Sequence, residues 1–349
     1  MKKIYLSCIL LLIPIQVASK DLSNLYEPNT LVYWQGRYSK NIEYNFENVI
    51  RANLEPKELA ALKTAQLKFP PVGVNKDPLA FYSFPRGYPP LVVLPILSVK
   101  FFDDLAIAYS WLTESGYSAE TMIDYVSMLK YGKPDWFPDS RYPQPMRALR
   151  VPANALDNPN IDKNSQNILK SAIVWILAHE LGHIYYRHPD YGRVSAEQAQ
   201  KNEEDSDRFA TEIMRRIGVA PIGMGIFLTV AVHWWQNRGD VDTEEAWRYY
   251  LETATHPLTA HRMRTLAGLI QGSAEDFARK EPNYNVALQA VRDAAEKITG
   301  IARFLEDQDL QKNIKIRAHC LKLQPNPLAP RSPNTNPSPE FLKCLSRGQ

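Results

Sequence analysis

Two histidines four residues apart could hold a metal ion. Residues 179–183 read HELGH and fall in an apolar stretch that is typical of a buried helix. Residues at this spacing lie on one helical face, so His179 and His183 could bind one zinc ion at about 2.0–2.1 Å. Glu180 stands beside them, where its carboxylate could accept a proton from a water that zinc makes more acidic. The motif predicts a zinc site with Glu180 as general base.

A second acidic motif follows this one. Residues 202–207 read NEEDSD, and Glu203 comes twenty residues after the second histidine. This run resembles the Asn-Glu-x-x-Ser-Asp motif of thermolysin-like gluzincins. Together with residues 207–210, which read DRFA, it also resembles the Glu-x-x-Ala-Asp-Arg stretch of HtpX-like gluzincins. The resemblance implies that Glu203 is the third zinc ligand and that Asp207 orients a ligand histidine. The metzincin pattern fails because Tyr186 and Pro189 occupy the places of its glycine and third histidine.

The spacing along the second motif also separates the candidates for the third ligand. Downstream of the HELGH motif, four candidate residues could supply the third zinc ligand: His188, Glu203, Glu204 and Asp205. Neighbours in a helix point about 100° apart, so Glu203 and Glu204 cannot both face the metal. Asp207 shares a face with Glu203, whereas Glu204 would bring the cation Arg208 against zinc. The helical geometry therefore favours Glu203.

A third stretch could supply a group for the transition state. Residues 255–257 read THP, and Arg262 follows five residues after the proline. This spacing resembles the Thr-His-Pro…Arg stretch of HtpX-like peptidases, whose His and Arg face the metal. The resemblance implies that His256 and Arg262 stabilise the oxyanion of the tetrahedral intermediate, with His261 in reserve. The structural alternative is a His-Pro pair that only starts a helix.

A small sheet should lie beside the helix that carries HELGH. Residues 79–84 and 91–94 have strand character, and Pro85 to Gly87 form a turn signal between them. This pair resembles the strands that precede the active-site helix of HtpX-like chains, where an edge strand can bind an extended peptide. The expected fold is α+β, a mostly helical zincin-type metallopeptidase with a small antiparallel sheet.

Helical spacing predicts the remaining elements. The expected helices are 54–69, 98–114, 118–131, a buried helix from 164 or 165 to about 188, and 196–216, with an irregular connection over 132–161. Residues 217–235 are uncharged and long enough to be read as a membrane span. Because Gly and Pro crowd their first half, we expect a loop and a core helix instead.

The N-terminus is typical of an exported protein. Residues 1–19 combine two lysines, an apolar run and a small-residue cleavage site, and the alternative is an uncleaved anchor. The predicted location is therefore the periplasm or the outside of the cell. The predicted domains are an N-terminal layer at 20–75, a metallopeptidase domain at 76–309 and a Pro-rich tail at 310–349.

The cysteines agree with export. Cys8 lies within the signal, and Cys320 and Cys344 are the pair that remains. An even pair in an exported chain predicts a disulfide, which would add roughly 3 kcal/mol of stability in the chain-entropy model.

Composition limits the classes of partner. The 349 residues are 45% hydrophobic with a formal net charge of +3, and no basic run is interleaved with aromatic residues. Nucleic acid is therefore a poor partner, and the sequence does not favour a membrane partner. The sequence predicts a zinc-dependent endopeptidase with one Zn²⁺ per chain and a polypeptide substrate. Two alternatives are a zinc hydrolase with a non-peptide substrate, and a catalytically silent peptidase fold that serves as a binding protein or chaperone.

Overall fold

The structure is a computed structural model that describes residues 20–189, 194–254, 256–324, 326–332 and 337–348. The predicted export signal at 1–19, Thr255 of the third motif and part of the Pro-rich stretch at 324–339 lie outside the described residues. The described chain is mostly helical with a small sheet, which confirms the α+β class. The helices are α1 Pro28–Tyr44, α2 Pro56–Ala61, α3 Ile96–Glu114, α4 Glu120–Tyr131, α5 Pro145–Ala148, α6 Pro159–Tyr185, α7 Ala196–Ile217, α8 Ile222–Trp234, α9 Glu244–Thr253, α10 Ala260–Gly272, α11 Ala274–Ala278, α12 Tyr284–Glu306, α13 Gln308–Leu321 and α14 Pro339–Gly348.

Short helical turns complete the connections. A π-helical segment, Asn45–Ile50, follows α1 directly. The 3₁₀ turns are Arg51–Asn53, Pro134–Trp136, Pro138–Ser140, Ala155–Asp157 and Arg238–Asp240. The predicted irregular connection over 132–161 therefore contains three such turns, the single turn of α5 and, from Pro159 onward, the start of α6.

The sheet has three short strands in the order β1-β3-β2. They are β1 Gln66–Lys68, β2 Tyr82–Phe84 and β3 Leu91–Val93. The predicted antiparallel pair forms between β2 and β3, with Ser83 opposite Val92. However, β1 pairs parallel to β3, so the expectation of a purely antiparallel sheet is wrong.

The parallel strand also corrects a predicted helix. Residues 54–69 have helical spacing, but α2 ends at Ala61. Beyond it the backbone of β1 bonds to β3 and its flanks, with the amide of Gln66 donating to Pro90 O at 2.9 Å and the amide of Leu94 donating to Lys68 O at 3.0 Å. Sheet pairing with a distant segment overrides local helical preference here.

Helix α6 carries HELGH and is longer at its start than the sequence indicates. It begins at Pro159 rather than near residue 165, because the side chain of Asn158 accepts from the amide of Asn160 at 2.9 Å and Pro159 takes the first helical position. The helix ends at Tyr185, a little before the predicted end near 188. It packs against α3, α7 and α8, so almost all of its second half is buried.

A close approach of α7 to α6 sets the distance between the two motifs. Helix α7 agrees with the predicted range. It begins after the Ser195 cap and ends at Ile217, followed by the C-cap Gly218, which adopts a left-handed φ of 80°. A Cβ at Gly182, within HELGH, would lie 2.9 Å from the Cα of Ser206. Gly182 therefore allows α7 to pack close enough for its acidic residues to reach the histidines of α6.

The uncharged stretch at 217–235 forms a loop and the buried core helix α8, as expected. It packs against α6 at Gly223, where a Cβ would lie 1.9 Å from Ile168 O. Within the described ranges, none of the helices is both long enough and apolar enough to cross a membrane.

Both ends of the described chain pack onto the central helices. In the predicted N-terminal layer, Phe46 and Ile50 are fully buried, and Glu58 pairs with Arg216 at the end of α7 at 2.6 Å. Cys320 in α13 and Cys344 in α14 form the predicted disulfide. The predicted tail at 310–349 thus includes most of α13 and all of α14.

Candidate metal centre

The three predicted ligands meet in the buried space between α6 and α7. His179 Nε2 and His183 Nε2 lie 3.1 Å apart. Glu203 reaches both histidines from α7, with 3.4 Å from Oε2 to His179 Nε2 and 3.3 Å from Oε1 to His183 Nε2. All three side chains are buried. The structure therefore brings together the residues that the sequence predicts as ligands.

His256 joins this group from the loop before α10. Its ligand atom and those of His179, His183 and Glu203 all lie within 4.8 Å of one another. His256 Nδ1 is 3.1 Å from Glu203 Oε2, and Nε2 is 3.1 Å from the carbonyl oxygen of Phe81, just before β2. The position suits two roles, since this imidazole could serve as a fourth ligand or as the predicted hydrogen-bond donor.

His179, His183, Glu203 and His256 form the candidate ligand group. Glu180 lies next to this ligand group without belonging to it. Its Oε1 is 3.5 Å from His256 Nε2. Among the residues that the structure describes, Oε2 of Glu180 has no hydrogen-bond partner although the side chain is only 2% exposed. A buried carboxylate oxygen with no partner is costly, so its occurrence points to a functional role. The position fits a base that accepts a proton from a reacting water.

The Asp207 carboxylate contacts the imidazole of His179. Asp207 Oδ1 lies 2.9 Å from His179 Nδ1, on the side of the ring opposite the ligand group. Burial lowers the pKa of His179, but hydrogen bonds to Asp207 and Glu203 and their charges outweigh it and raise this pKa to about 9. This contact agrees with the orienting role that the resemblance implies for Asp207.

Arg262 contacts the carboxylates of α7. Its Nε and Nη2 donate to Asp207 at 2.7 and 2.9 Å, and Nη1 lies 2.8 Å from Glu203 Oε2. Burial raises the pKa of Glu203, yet the charges of His256 and Arg262 outweigh it and hold that pKa well below its usual range. The same competition between burial and Arg262 lowers the pKa of Asp207. The charge of Arg262, together with that of His256 at Glu203, therefore favours the ionised form of both carboxylates.

The other histidines and acids of the sequence lie outside the ligand group. Glu204 points away from it and lies 3.4 Å from the exposed His261, the predicted reserve. His233 lies elsewhere, with its ring stacked on Phe304 at 4.8 Å between centroids. His188 is buried behind His183, and their Nδ1 atoms lie 2.9 Å apart.

Two tryptophans and the Phe81 carbonyl complete the site, and none of the three sequence motifs indicates them. Trp175, one helical turn before His179, has its ring centroid 5.2 Å from the ring of His179. Trp235 stacks on His256 at 6.1 Å. Position i−4 on the same helix could have indicated Trp175. Trp235 and Phe81 reach the site only through the packing of distant segments.

The donor set fits a zinc ion. Nδ1 of His179 faces Asp207, and Nδ1 of His183 faces His188. The Nε2 atom of each ring therefore faces the Glu203 carboxylate. Two imidazole nitrogens and one carboxylate form a common protein ligand set of catalytic zinc. The buried group of His179, His183, Glu203 and His256 could thus hold a metal ion.

Part of the chain matches a family of peptidases. Residues 112–280, just under half of the chain, match the model of the family described as Peptidase U49. The matched range includes both motifs on α6 and α7, as well as His256 and Arg262. No curated protein and no solved structure matches the chain. The family match indicates a peptidase and therefore a polypeptide substrate.

Proposed function

We propose that the protein is an exported, zinc-dependent endopeptidase of the gluzincin type. His179, His183 and Glu203 would hold zinc, and Glu180 would be the general base. The observation that carries the proposal is the convergence of His179 Nε2, His183 Nε2 and the Glu203 carboxylate beside an unpartnered Glu180 oxygen. The match to a peptidase family supports the peptide bond as the target.

Glu180, Asp207 and Arg262 have separate roles in the proposed reaction. When bound, zinc supplies a Lewis acid that activates water and polarises the scissile carbonyl. Glu180 accepts the proton of the attacking water and passes it to the leaving amine. Asp207 fixes the ring of His179, and the charge of Arg262 favours the ionised forms of Asp207 and Glu203.

The sheet offers a place for the substrate backbone. Strand β2 stands at one edge of the sheet, and Phe81 just before it contacts His256. An edge strand presents unpaired backbone groups to which an extended peptide can add. We therefore propose that substrate lies along β2, which puts its peptide bonds beside Glu180.

Peptide hydrolysis with a metal control tests this function. The purified protein should cleave members of a mixed library of unfolded polypeptides and short peptides. A chelator should abolish cleavage, and added zinc should restore it. Chelator-sensitive hydrolysis of esters or amides without any peptide cleavage would point to a non-peptide substrate. Zinc binding without turnover of either kind would point to a binding protein.

The role of His256 gives a prediction of its own. If its imidazole donates to the oxyanion, His256→Ala should keep bound zinc and lower kcat by about 10²–10³-fold. His261→Ala is the matched control, because His261 is exposed and pairs only with Glu204 among the contacts described. Zinc titration and kinetics on both variants are the measurements. Loss of zinc from His256→Ala would make His256 a ligand, and an unchanged rate would leave it structural.

Export is part of the proposal, and the disulfide supports it. Cys320 and Cys344 are bonded in the structure, and disulfides persist mainly in oxidising compartments. Protein recovered from the periplasm or culture medium should begin near Lys20 and show Cys320 joined to Cys344 in non-reducing peptide maps. An intact residue 1–19 segment on the recovered protein would contradict signal cleavage, and two free thiols would contradict the oxidising location.

A further inference from the structure

The chain reverses sharply just after the HELGH helix. The amide of His188 donates to His183 O at 3.0 Å, and the amide of Arg187 donates to Ile184 O at 3.1 Å. These two bonds are the pair that defines a Schellman cap at a helix C-terminus. The cap requires a left-handed residue, and here that residue is Arg187, with φ of 54°.

Arginine is a costly residue for this position. Glycine adopts the left-handed conformation readily, whereas a residue with a Cβ is disfavoured there by roughly 1–2 kcal/mol. An unfavourable backbone conformation that persists near a functional site suggests that its consequence is useful. The consequence at Arg187 is that His188 folds back over its own helix toward His183.

The folded-back imidazole meets His183 on the side opposite the ligand group. The two Nδ1 atoms lie 2.9 Å apart, and the two ring centroids are 5.0 Å apart at an interplanar angle of 77°. His183 Nε2, in turn, faces Glu203 and His179. If His183 binds zinc through Nε2, its Nδ1 carries the proton. That N–H can then donate to His188 Nδ1, which must be the unprotonated nitrogen.

Neighbouring packing keeps His188 in this place. The side chain of His188 is 6% exposed, and the ring of Tyr186 stacks on it at 5.6 Å and 16°. Tyr185 stacks on Phe209 of α7 at 5.2 Å, which anchors the end of α6 against the helix that carries Glu203. The helix end that carries His188 is thus tied to both ligand-bearing helices.

We propose that His188 is a positioning residue that fixes the tautomer and orientation of the ligand His183, as Asp207 does for His179. The inference rests on the proposed zinc site. It assigns the two ligand histidines different supports, since His179 contacts a carboxylate and His183 contacts an imidazole. Groups that hold a ligand histidine in this way typically change metal affinity by about 10–100-fold when removed.

Three substitutions of one residue separate hydrogen bonding from packing. His188→Asn keeps an acceptor near the position of Nδ1 but removes most of the ring. His188→Phe keeps a ring for Tyr186 to stack on but has no acceptor, and His188→Ala removes both. Arg187→Gly is the matched control, because it keeps the left-handed cap and does not touch His188.

Chelator competition gives the zinc affinity of each variant in the full-length mature protein. We expect His188→Phe and His188→Ala to lose about 10–100-fold, and His188→Asn and Arg187→Gly to stay close to the unchanged protein. The reverse order, with Phe retaining affinity and Asn losing it, would show a packing role and overturn the proposal. Complete loss of zinc from all three His188 variants would make His188 a ligand and overturn it too. If the unchanged protein binds no zinc, the proposed function itself fails.

A measurement on the unchanged sequence covers the case in which these variants do not fold. Nitrogen-15 NMR of histidine-labelled, zinc-loaded protein should show a protonated Nδ1 on His183 and an unprotonated Nδ1 on His188. A His183 that binds zinc through Nδ1, or a His188 that carries its proton on Nδ1, would overturn the proposal.

Discussion

Glu180→Gln should keep its zinc and lose nearly all turnover. Glutamine has almost the same shape, so the substitution removes the base and little else. Among the described residues Oε2 of Glu180 has no hydrogen-bond partner, so no structural contact of that oxygen is lost. A positioned general acid–base group typically contributes 10²–10⁴-fold to the rate, and Glu180 handles both the water proton and the leaving-group proton in this account. We therefore expect kcat to fall by about 10³-fold or more.

The measurement compares peptide hydrolysis and zinc content in the same preparation. Glu204→Gln is the matched control, because Glu204 neighbours the site on α7 but points toward His261. That variant should retain full activity and full zinc. If Glu180→Gln cleaves peptides at a rate near that of the unchanged protein, Glu180 is not the base, even though zinc may still be bound.

Glu203→Ala should lose zinc affinity severely, whereas Glu204→Ala should have almost no effect. The Glu203 side chain is fully buried and reaches both His179 and His183, while Glu204 faces away. Asp207→Ala should weaken zinc binding or activity by about 10–100-fold, because it contacts His179 without entering the ligand group. Chelator competition on the three variants measures this order directly.

Removal of Glu203 also leaves the buried Arg262 with one partner fewer. Arg262 keeps its two bonds to Asp207, but breaking a buried ion pair can cost about 3–5 kcal/mol. Glu203→Gln is therefore the companion variant, because it preserves volume and should also lose zinc. Folding of each variant is checked by thermal unfolding with zinc removed. A Glu204→Ala or His188→Ala variant that strips the metal while Glu203→Ala keeps it would contradict the gluzincin assignment.

The closeness of the residues at the centre of the site could be predicted from the sequence, because the spacing within each motif is local. His179 and His183 share a helical face at any position in a helix, and the same holds for Glu203 and Asp207. The two helices pack as expected because Gly182 leaves room for Ser206. The disulfide and the core helix at 222–234 were also predictable, since each follows from residue types and spacing within a short range.

The rest of the site depends on contacts between distant segments. The parallel pairing of β1 with β3 joins residues 66–68 to 91–93, and nothing in the helical spacing of 54–69 indicates it. The Phe81 carbonyl and the ring of Trp235 reach His256 only through the fold. The sequence shows His188 as a candidate ligand, but not that its side chain contacts His183. That contact depends on the left-handed conformation of Arg187, which the residue preferences of arginine do not predict.

The zinc content of the purified mature chain tests the central claim most directly. Protein from a zinc-replete culture should contain about one zinc per chain by elemental analysis. After removal by a chelator, it should take up one zinc again, with the Glu203→Ala variant failing to do so. A preparation without metal that regains none on addition of zinc would contradict the account of His179, His183 and Glu203 as a zinc site.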